Sequence, residues 1–432
     1  SSADGSAGGS ATGGNISILA DASGAIAIAA LDGNVALSAN GTGGNGGRAL
    51  AAIIAATGIG GNGGNGGDSG SGTGGTIAIA ALDTGSASLG LLGTVTLSAN
   101  GTGGIAGLGG DGASSTAPAT PGGNGGNNGL ANAGSGGTVT VGATGGTATF
   151  GTLLANATGE TFDRPFAGAG GGGTSGFGLS GSSAFVTPSG GQVSFTSADG
   201  SSSSPGSLVA GATSVDVRSK RTFPASNFAF IYESGGTISL TSSSTAPADA
   251  MRFTSFLGDA SGSSAGFSDP AISLTALAGP ITFDSDLTLL AAGSISVSVS
   301  DGLTVASGGN AHFVSDTGID IAATGTGQFS ANSILLESFG SIGIAVNGCA
   351  TASCRPIEAT TSLVADASGD FTISGPAIVA GLGSLDVYAF GNVTGDAASG
   401  YFSGGSLRVR AGQDATIRNA TGASLNLEAG AI

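Results

Sequence analysis

Two acidic residues, Asp284 and Asp286, are the carboxylate pair whose spacing best suits general acid–base chemistry. Polysaccharide-cleaving enzymes built on β-helices place two carboxylates in one groove. The alternation of a β-strand would put Asp284 and Asp286 on the same face. The nearby residues are Ser and Thr, however, and the chain has no Trp and only three Tyr for stacking on sugar rings. We therefore expect no catalytic activity, with polysaccharide cleavage as the alternative.

The thiol and imidazole groups are too few for a metal centre. The chain contains two cysteines, Cys349 and Cys354, and a single histidine, His312. Tetrahedral zinc and a Cys–His nucleophile are both hard to assemble from this set. We predict a local disulfide between the two cysteines, which is typical of an oxidising compartment. For His312 we expect a strand or turn position.

The chain has one basic cluster, which runs from Arg218 through Lys220 to Arg221. A partner-binding loop is one interpretation of these three residues, and a solvated turn after Val215 to Val217 is the other. The formal charge of the whole chain is −17 and its pI is about 4.1. Nucleic acids and anionic membranes need neutralising cations, so this balance excludes them as partners.

Two glycine-rich segments fit part of the calcium-binding nonapeptide of β-rolls. These segments are Gly63 to Ser71 and Gly107 to Asp111. In that motif Asp bridges calcium between successive turns, so tandem copies are required. The copies here are isolated. We expect no cofactor, and calcium is the only candidate that the sequence offers.

The elements around these residues follow a β pattern. Apolar and small polar residues alternate with period two in segments such as Ser294 to Ser300, with Gly, Asn, Asp and Ser between segments. The leading apolar residues recur every 18 to 24 positions, at Ile272, Ile295, Ile319, Ile342, Leu363, Leu385, Leu407 and Leu425. A recurrence of this length predicts an all-β solenoid in which each coil stacks on the next. We expect about 17 coils and a rod about 80 Å long.

Composition divides the chain into three parts. Residues 1–149 contain no aromatic residue and predict a slender solenoid with two glycine-rich excursions, at 41–75 and 101–137. Residues 150–270 predict an irregular solenoid that contains Phe, with Val193, Val215 and Ile238 on one ladder. Residues 271–432 predict regular coils of about 22 residues. The glycine run at 167–173 indicates either an irregular loop or a third excursion.

The two excursions leave and rejoin the solenoid at matching sequences. The exit Leu37 to Gly44 recurs at Leu97 to Gly104, and Ile26 to Asp32 recurs at Ile77 to Asp83. We therefore expect the excursions to lie side by side on one edge. Their Gly-Gly-Asn triplets fit packed polyglycine-II strands that present Asn side chains, because such strands have three residues per turn. A flexible glycine linker is the alternative.

Strand openings such as Gly293 to Val297 and Gly318 to Ala322, repeated every 20-odd residues, resemble the filamentous-haemagglutinin family of bacterial exoproteins. This resemblance implies a right-handed parallel β-helix and export through a partner transporter in the outer membrane of a Gram-negative bacterium. It also implies an extracellular or cell-surface location and a role in adhesion or biofilm. The family's Asn-Pro motifs do not occur here. The Gly-Gly-Asn runs resemble glycine-rich repeats of mycobacterial surface proteins and polyglycine-bundle adhesins.

From these features we expect a secreted, non-catalytic surface fibre or adhesin whose ligand is a host surface or a polysaccharide. A self-assembling filament or surface-layer subunit is the alternative. The terminal segments carry no cap over the first and last coils. We therefore expect these residues to be a section of a longer fibre, formed by continuation of the chain or by neighbouring copies.

Overall fold

The protein is an all-β parallel β-helix. The computed structural model describes residues 3–28, 33–54, 58–163, 167–173, 176–201, 203–223, 230–232, 235–246, 250–262, 270–300, 304–325, 327–348, 354–396 and 398–430. Within these residues there is no helix, and hence none that could cross a membrane. Successive coils stack in register, which confirms the fold class that the period-two pattern predicts.

One face of the β-helix is a single parallel sheet, here called the long sheet. Each coil contributes one strand to it, and the described residues supply twelve. Its strands, in order along the axis, are Asn15–Ala20, Thr76–Leu82, Thr138–Thr144, Gln192–Ala198, Thr237–Ser243, Pro270–Ala276, Ser294–Val299, Gly318–Thr324, Ser341–Asn347, Phe371–Ser374, Val393–Gly395 and Ala415–Thr416.

The remaining faces form a second parallel sheet that most coils cross twice, either with two short strands or with one long strand that is interrupted in register. Its strands are Ala25–Ile28, Val35–Ser38, Ser86–Ser98, Thr147–Asn156, Ser207–Asp216, Met251–Ala260, Ile281–Phe283, Leu287–Ala291, Thr304–Ser307, Asn310–Ser315, Gln328–Ser338, Cys354–Ala367, Ala377–Gly381, Ser384–Ala389, Gly400–Ser403, Ser406–Ala411, Ala420–Thr421 and Ser424–Ala429.

Smaller sheets lie where the glycine-rich excursions join the β-helix. A five-stranded sheet contains Gly41–Thr42, Gly101–Ile105, Gly159–Phe162, Ser219–Thr222 and the antiparallel Phe230–Tyr232. A three-stranded sheet contains Ala11–Thr12, Gly72–Thr73 and Gly134–Ser135, and Leu130–Ala131 pairs with Ala184–Phe185. These short ladders stack successive excursions along the axis, in step with the coils to which they belong.

The core lies between the sheets and changes in size along the axis. In the first coils it is filled by aliphatic side chains such as Ile77, Leu89 and Leu97, all fully buried. In the middle coils Phe195, Phe253, Phe256 and Phe283 pack together, with ring centroids 5.2 to 6.1 Å apart. The inward positions alternate with exposed ones because successive strand residues point to opposite faces.

The predicted ladder of leading residues is in fact two ladders. Ile272, Ile295, Ile319 and Ile342 pair in the long sheet as predicted, and the next residue in that register is Phe371. Leu363, Leu385, Leu407 and Leu425 instead pair in the second sheet, where Leu363 follows Ile334. The spacing hid the change because each coil crosses both sheets with similar strands.

The predicted number of coils and the predicted alignment of the internal repeat were also wrong. Val193 pairs with Ile238 in the long sheet, whereas Val215 lies in the second sheet, so coils that carry excursions are much longer than 22 residues. The described coils therefore number about twelve, and the rod is about 55 Å long. Ile77 pairs with Ile16 rather than with Ile26. The matching exits are equivalent as predicted, since Leu37 pairs with Leu97.

Candidate functional site

The candidate site is a two-layer assembly of extended glycine-rich strands on one edge of the β-helix, here called the glycine stack. Four return strands form one layer: residues 3–13, 58–75, 120–135 and 176–189. Three outgoing strands form the other layer: residues 41–54, 101–115 and 167–173. The predicted excursions at 41–75 and 101–137 lie side by side, and the run at 167–173 belongs to a third excursion.

Backbone hydrogen bonds in the stack recur every third residue. Between return strands, the Gly63 and Gly66 amides donate to the carbonyls of Asn124 and Asn127, both at 2.8 Å. Between the layers, Gly126 N donates to Gly110 O at 2.8 Å. A three-residue period is the repeat of a polyproline-II-type strand. The packed-strand prediction is therefore confirmed over the linker alternative.

Glycine is required in the stack because neighbouring backbones touch. A Cβ at Gly66 would collide with the carbonyl oxygen of Gly107 in the outgoing layer. A Cβ at Gly126 would collide with the carbonyl oxygen of Gly64 in the preceding return strand. In the Gly-Gly-Asn triplets, the two glycine positions thus face other strands, and only the Asn position has room for a side chain.

The third position of the triplet completes the hydrogen bonding of the backbone. Asn65 Oδ1 accepts the Asn127 amide of the next return strand at 3.0 Å, and Asn127 Oδ1 accepts the Ser182 amide at 2.8 Å. Asp4 begins the same row by accepting the Asn65 amide at 2.6 Å. Asn62 and Asn124 form a parallel row. Each side chain therefore satisfies an amide that the strand geometry leaves unpaired.

These rows also form a polar surface. Asn65, Asn124 and Asn127 are exposed, and their side-chain nitrogens have no hydrogen bond to another described residue. Within a row the side chains are one strand apart, and the two rows are one triplet apart along each strand, a distance of about 9 Å. The stack thus presents a regular array of amide donors on a rigid backbone, as the sequence predicts for the Asn side chains.

Of the two cysteines predicted to form a disulfide, the described residues include Cys354 alone. Cys354 begins the strand Cys354–Ala367, is buried and is disulfide-bonded. Cys349 lies outside the described residues, so its pairing with Cys354 stays a prediction.

The basic cluster is paired with carboxylates of its own and neighbouring coils. Arg218 lies 2.8 Å from Asp216 and 3.0 Å from Asp259. Lys220 lies 3.4 Å from Glu160. Arg221 lies 3.8 Å from Asp163, and its guanidinium stacks over Phe185. Lys220 and Arg221 belong to the strand Ser219–Thr222 rather than to a solvated turn. Partner binding by Arg218, Lys220 and Arg221 stays a prediction.

The candidate carboxylate pair does not share a strand face. Asp284 and Asp286 flank a bend between Ile281–Phe283 and Leu287–Ala291. Both carboxylate oxygens of Asp284 accept the N–H of Arg252 Nε, each at 3.0 Å. Asp286 Oδ1 accepts the Asn310 amide at 2.9 Å. The prediction of a shared face was wrong because the strand ends before Asp284. Each carboxylate holds a neighbouring coil.

His312 lies in the strand Asn310–Ser315, as predicted, with Nε2 2.8 Å from Glu337 Oε2.

The carboxylates of the candidate calcium motifs act as amide acceptors: Asp68 accepts the Leu130 amide at 2.7 Å and Asp111 accepts the Ala169 amide at 2.9 Å. Across the described residues, no three His, Cys, Asp or Glu side chains form a group suited to a metal ion.

Comparisons with protein-family models, with curated proteins and with solved structures find no match to this chain.

The side-chain acceptor rows were missed by the sequence reasoning, although a signal for them exists. The Asn residues of the first excursion recur 62 positions later, where Asn62 and Asn65 match Asn124 and Asn127. An identical polar residue at the same register in two stacked strands is the pattern expected of a side-chain ladder. The third excursion breaks this pattern by having Leu179 and Ser182 at the equivalent positions.

Proposed function

We propose that this chain is a non-catalytic surface fibre protein of a Gram-negative bacterium, exported by a partner transporter of the outer membrane. In this proposal the β-helix is the shaft and the glycine stack is the adhesive surface for a host or polysaccharide ligand. The disulfide at Cys354 supports an oxidising, extracellular compartment. The acidic charge balance supports neutral ligands over anionic ones.

The observation that carries the proposal is the exposed array formed by Asn65, Asn124 and Asn127. Amide groups donate and accept hydrogen bonds without charge, which suits the hydroxyls of a neutral glycan. The backbone beneath them is fixed by hydrogen bonds in two directions. Recognition by these amides would therefore cost little ordering entropy.

An adhesion assay tests this proposal. Beads coated with the wild-type chain should attach to polysaccharide layers or host-cell monolayers well above albumin-coated beads. The double variant Asn65→Asp and Asn124→Asp keeps an oxygen that can accept the neighbouring amide but removes the side-chain NH₂ donors. We expect it to attach at least fivefold less.

The matched control is Asn34→Asp. Asn34 Oδ1 accepts the Thr94 amide at 2.9 Å on the β-helix, away from the stack. Attachment of this control should equal that of wild type. Equal losses in both variants, or wild-type beads that attach no better than albumin-coated ones, would contradict an adhesive role for the stack.

A self-assembling filament is the second candidate, favoured by the last described strand. Among the described residues, Ser424–Ala429 pairs with Ser406–Ala411 alone, and Leu425 and Leu427 are about half exposed. Another coil stacked on this strand would bury both side chains and pair its backbone groups. Multi-angle light scattering should then show mass that rises with concentration, and Leu425→Asp with Leu427→Asp should abolish the rise. A constant monomer mass rejects the filament.

A further inference from the structure

The outer return strand of the third excursion, residues 176–189, has no following return strand within the part of the chain that the structure describes, and it is an open edge of the glycine stack. The other three return strands each donate amides to the strand that follows. The amides of Gly5 and Gly8 donate to the carbonyls of Asn65 and Asp68, and those of Gly63 and Gly66 donate to the carbonyls of Asn124 and Asn127. In the third pair of strands, the amides of Gly122, Gly125 and Asn128 donate to the carbonyls of Gly176, Leu179 and Ser182. The donors recur every third residue along each strand.

Register identifies the corresponding donors of the outer strand. Leu179 occupies the position of Asn124, because its amide binds Asn124 Oδ1 just as the Asn124 amide binds Asn62 Oδ1. Ser180 therefore corresponds to Gly125, and Ser183 corresponds to Asn128. Both serines are exposed, and neither amide has an acceptor among the described residues. The edge thus presents outward N–H groups three residues apart.

The outer strand also changes the chemistry of the side-chain rows. The row that begins with Asn62 and Asn124 ends in Leu179, which is 73% exposed. Phe177, near the tip of the same strand, is 84% exposed. Leu179 thus replaces an amide side chain on the return strand that has no following neighbour among the described residues. An added strand would cover apolar surface and pair the outward amides at the same time.

The shape of the edge defines the strand that it fits. At the position of Gly125, a Cβ would collide with the next outgoing strand, at Gly168 O. Ser180 has such a Cβ, so the space for a fourth outgoing strand is occupied and a complete hairpin is excluded. An added return-type strand must have glycine at the position of Gly126, where a Cβ would strike the preceding strand. Glycine is thus required at every third residue.

We propose that residues 176–187 form a strand-addition site for a segment of another protein, with glycine at every third residue, extended in the polyproline-II conformation and parallel to the outer strand. Carbonyl groups of the added segment accept the Ser180 and Ser183 amides, and its remaining side chains cover Leu179 and Phe177. This inference is independent of the adhesive role, because it uses the edge of the stack rather than its amide surface.

Peptide binding tests the site. The probe is a fluorescein-labelled peptide of four Gly-Gly-Asn repeats, titrated with the full chain and followed by anisotropy. We expect saturable binding by wild type and at least tenfold weaker binding by Ser180→Pro with Ser183→Pro. Proline removes both amides but keeps φ near −65°, which a polyproline-II strand accepts. Should the double variant fold poorly, Phe177→Ala with Leu179→Ala, which removes the exposed apolar side chains and leaves the outward amides, is expected to weaken binding as well.

Two controls define failure. A peptide of four Ala-Ala-Asn repeats should not bind, and Leu92→Asn, which changes a 97% exposed leucine on the β-helix, should leave binding unchanged. Absence of saturable binding by wild type at millimolar peptide, or equal binding of the alanine peptide, overturns the proposal. Self-association of wild type in sedimentation that the proline variant abolishes also overturns it, since the occupant is then a second copy.

Discussion

The β-helix and the glycine stack hold successive coils together in two physically different ways. In the β-helix, strands alternate with period two and bury inward side chains such as Phe253 in a continuous core. In the stack, strands repeat with period three, and glycine allows backbone to contact backbone. The shaft is therefore stabilised mainly by apolar burial, whereas the stack is stabilised by hydrogen bonds and close backbone packing.

This difference sets what each region tolerates. The shaft needs large side chains at its inward positions, since a smaller one leaves a cavity. The stack needs the opposite, since at Gly126 even a methyl group meets a carbonyl oxygen. Substitutions that reduce side-chain volume should therefore be the harmful ones in the shaft, and substitutions that increase it should be the harmful ones in the stack. The two kinds should also differ in how much of the structure they affect.

The largest effect is expected for Phe253→Ala in the shaft. Phe253 is fully buried, with ring centroids 5.6 Å from Phe195, 5.2 Å from Phe256 and 5.7 Å from Phe283. Removing the ring should lower the free energy of unfolding by about 3–5 kcal/mol. Urea denaturation followed by circular dichroism measures this loss. The control Phe339→Ala, at a 72% exposed ring, should change it by less than about 0.5 kcal/mol.

A smaller, local effect is expected for Gly126→Val in the stack. The added side chain must displace the strand that contains Gly64, at a cost of about 1–3 kcal/mol. Hydrogen exchange should accelerate across residues 58–75 and 120–135 while the long sheet stays protected. Gly14→Ala is the control, because a Cβ at Gly14 meets nothing within 4 Å. Uniform loss of protection in both regions would show that the stack and the shaft unfold as one unit.

The acceptor rows can be separated from side-chain size with a pair of variants at Asn127. Asn127→Ala leaves the Ser182 amide without its 2.8 Å acceptor and should lower stability of the stack by about 1 kcal/mol. Asn127→Asp keeps an acceptor and should be close to wild type, as Asp68 and Asp111 already fill this role. Exchange rates at the Ser182 amide distinguish the two. Equal exchange rates of the Ser182 amide in both variants would show that the acceptor row does not contribute to stability.

The smallest effect concerns acid stability of the shaft. Backbone amides of Ala398 and Gly375 donate to the Asp396 carboxylate and hold its pKa below the usual value. A lowered folded-state pKa adds stability above the unfolded-state pKa of about 3.9, and this stability is lost as pH falls through the folded value. The urea concentration at the midpoint of unfolding should therefore decrease as the pH is lowered below about 4. The decrease should be less steep in Asp396→Asn. An unchanged acid slope in that variant would exclude Asp396 as a cause.

The sequence by itself determined the fold class and the existence of the stack. Period-two alternation fixes which residues of a strand face inward, as for Ile295 and Ile319, because the geometry of a strand is local. The matching exits at Leu37 and Leu97 likewise fixed the adjacency of the excursions. The period of three in the Gly-Gly-Asn runs indicated the strand type, because only glycine permits such close packing.

Tertiary structure decided which strands of successive coils pair. Sequence spacing cannot separate Leu363 from Ile342, because strands of both sheets share one apolar pattern and differ only in their partners. It also decided that Asp284 and Asp286 hold neighbouring coils and that Arg218 pairs with Asp259, since those contacts join residues brought together only by stacking. The open edge at Ser180 depends on the same cause: an amide lacks an acceptor only when the next strand of the stack is missing.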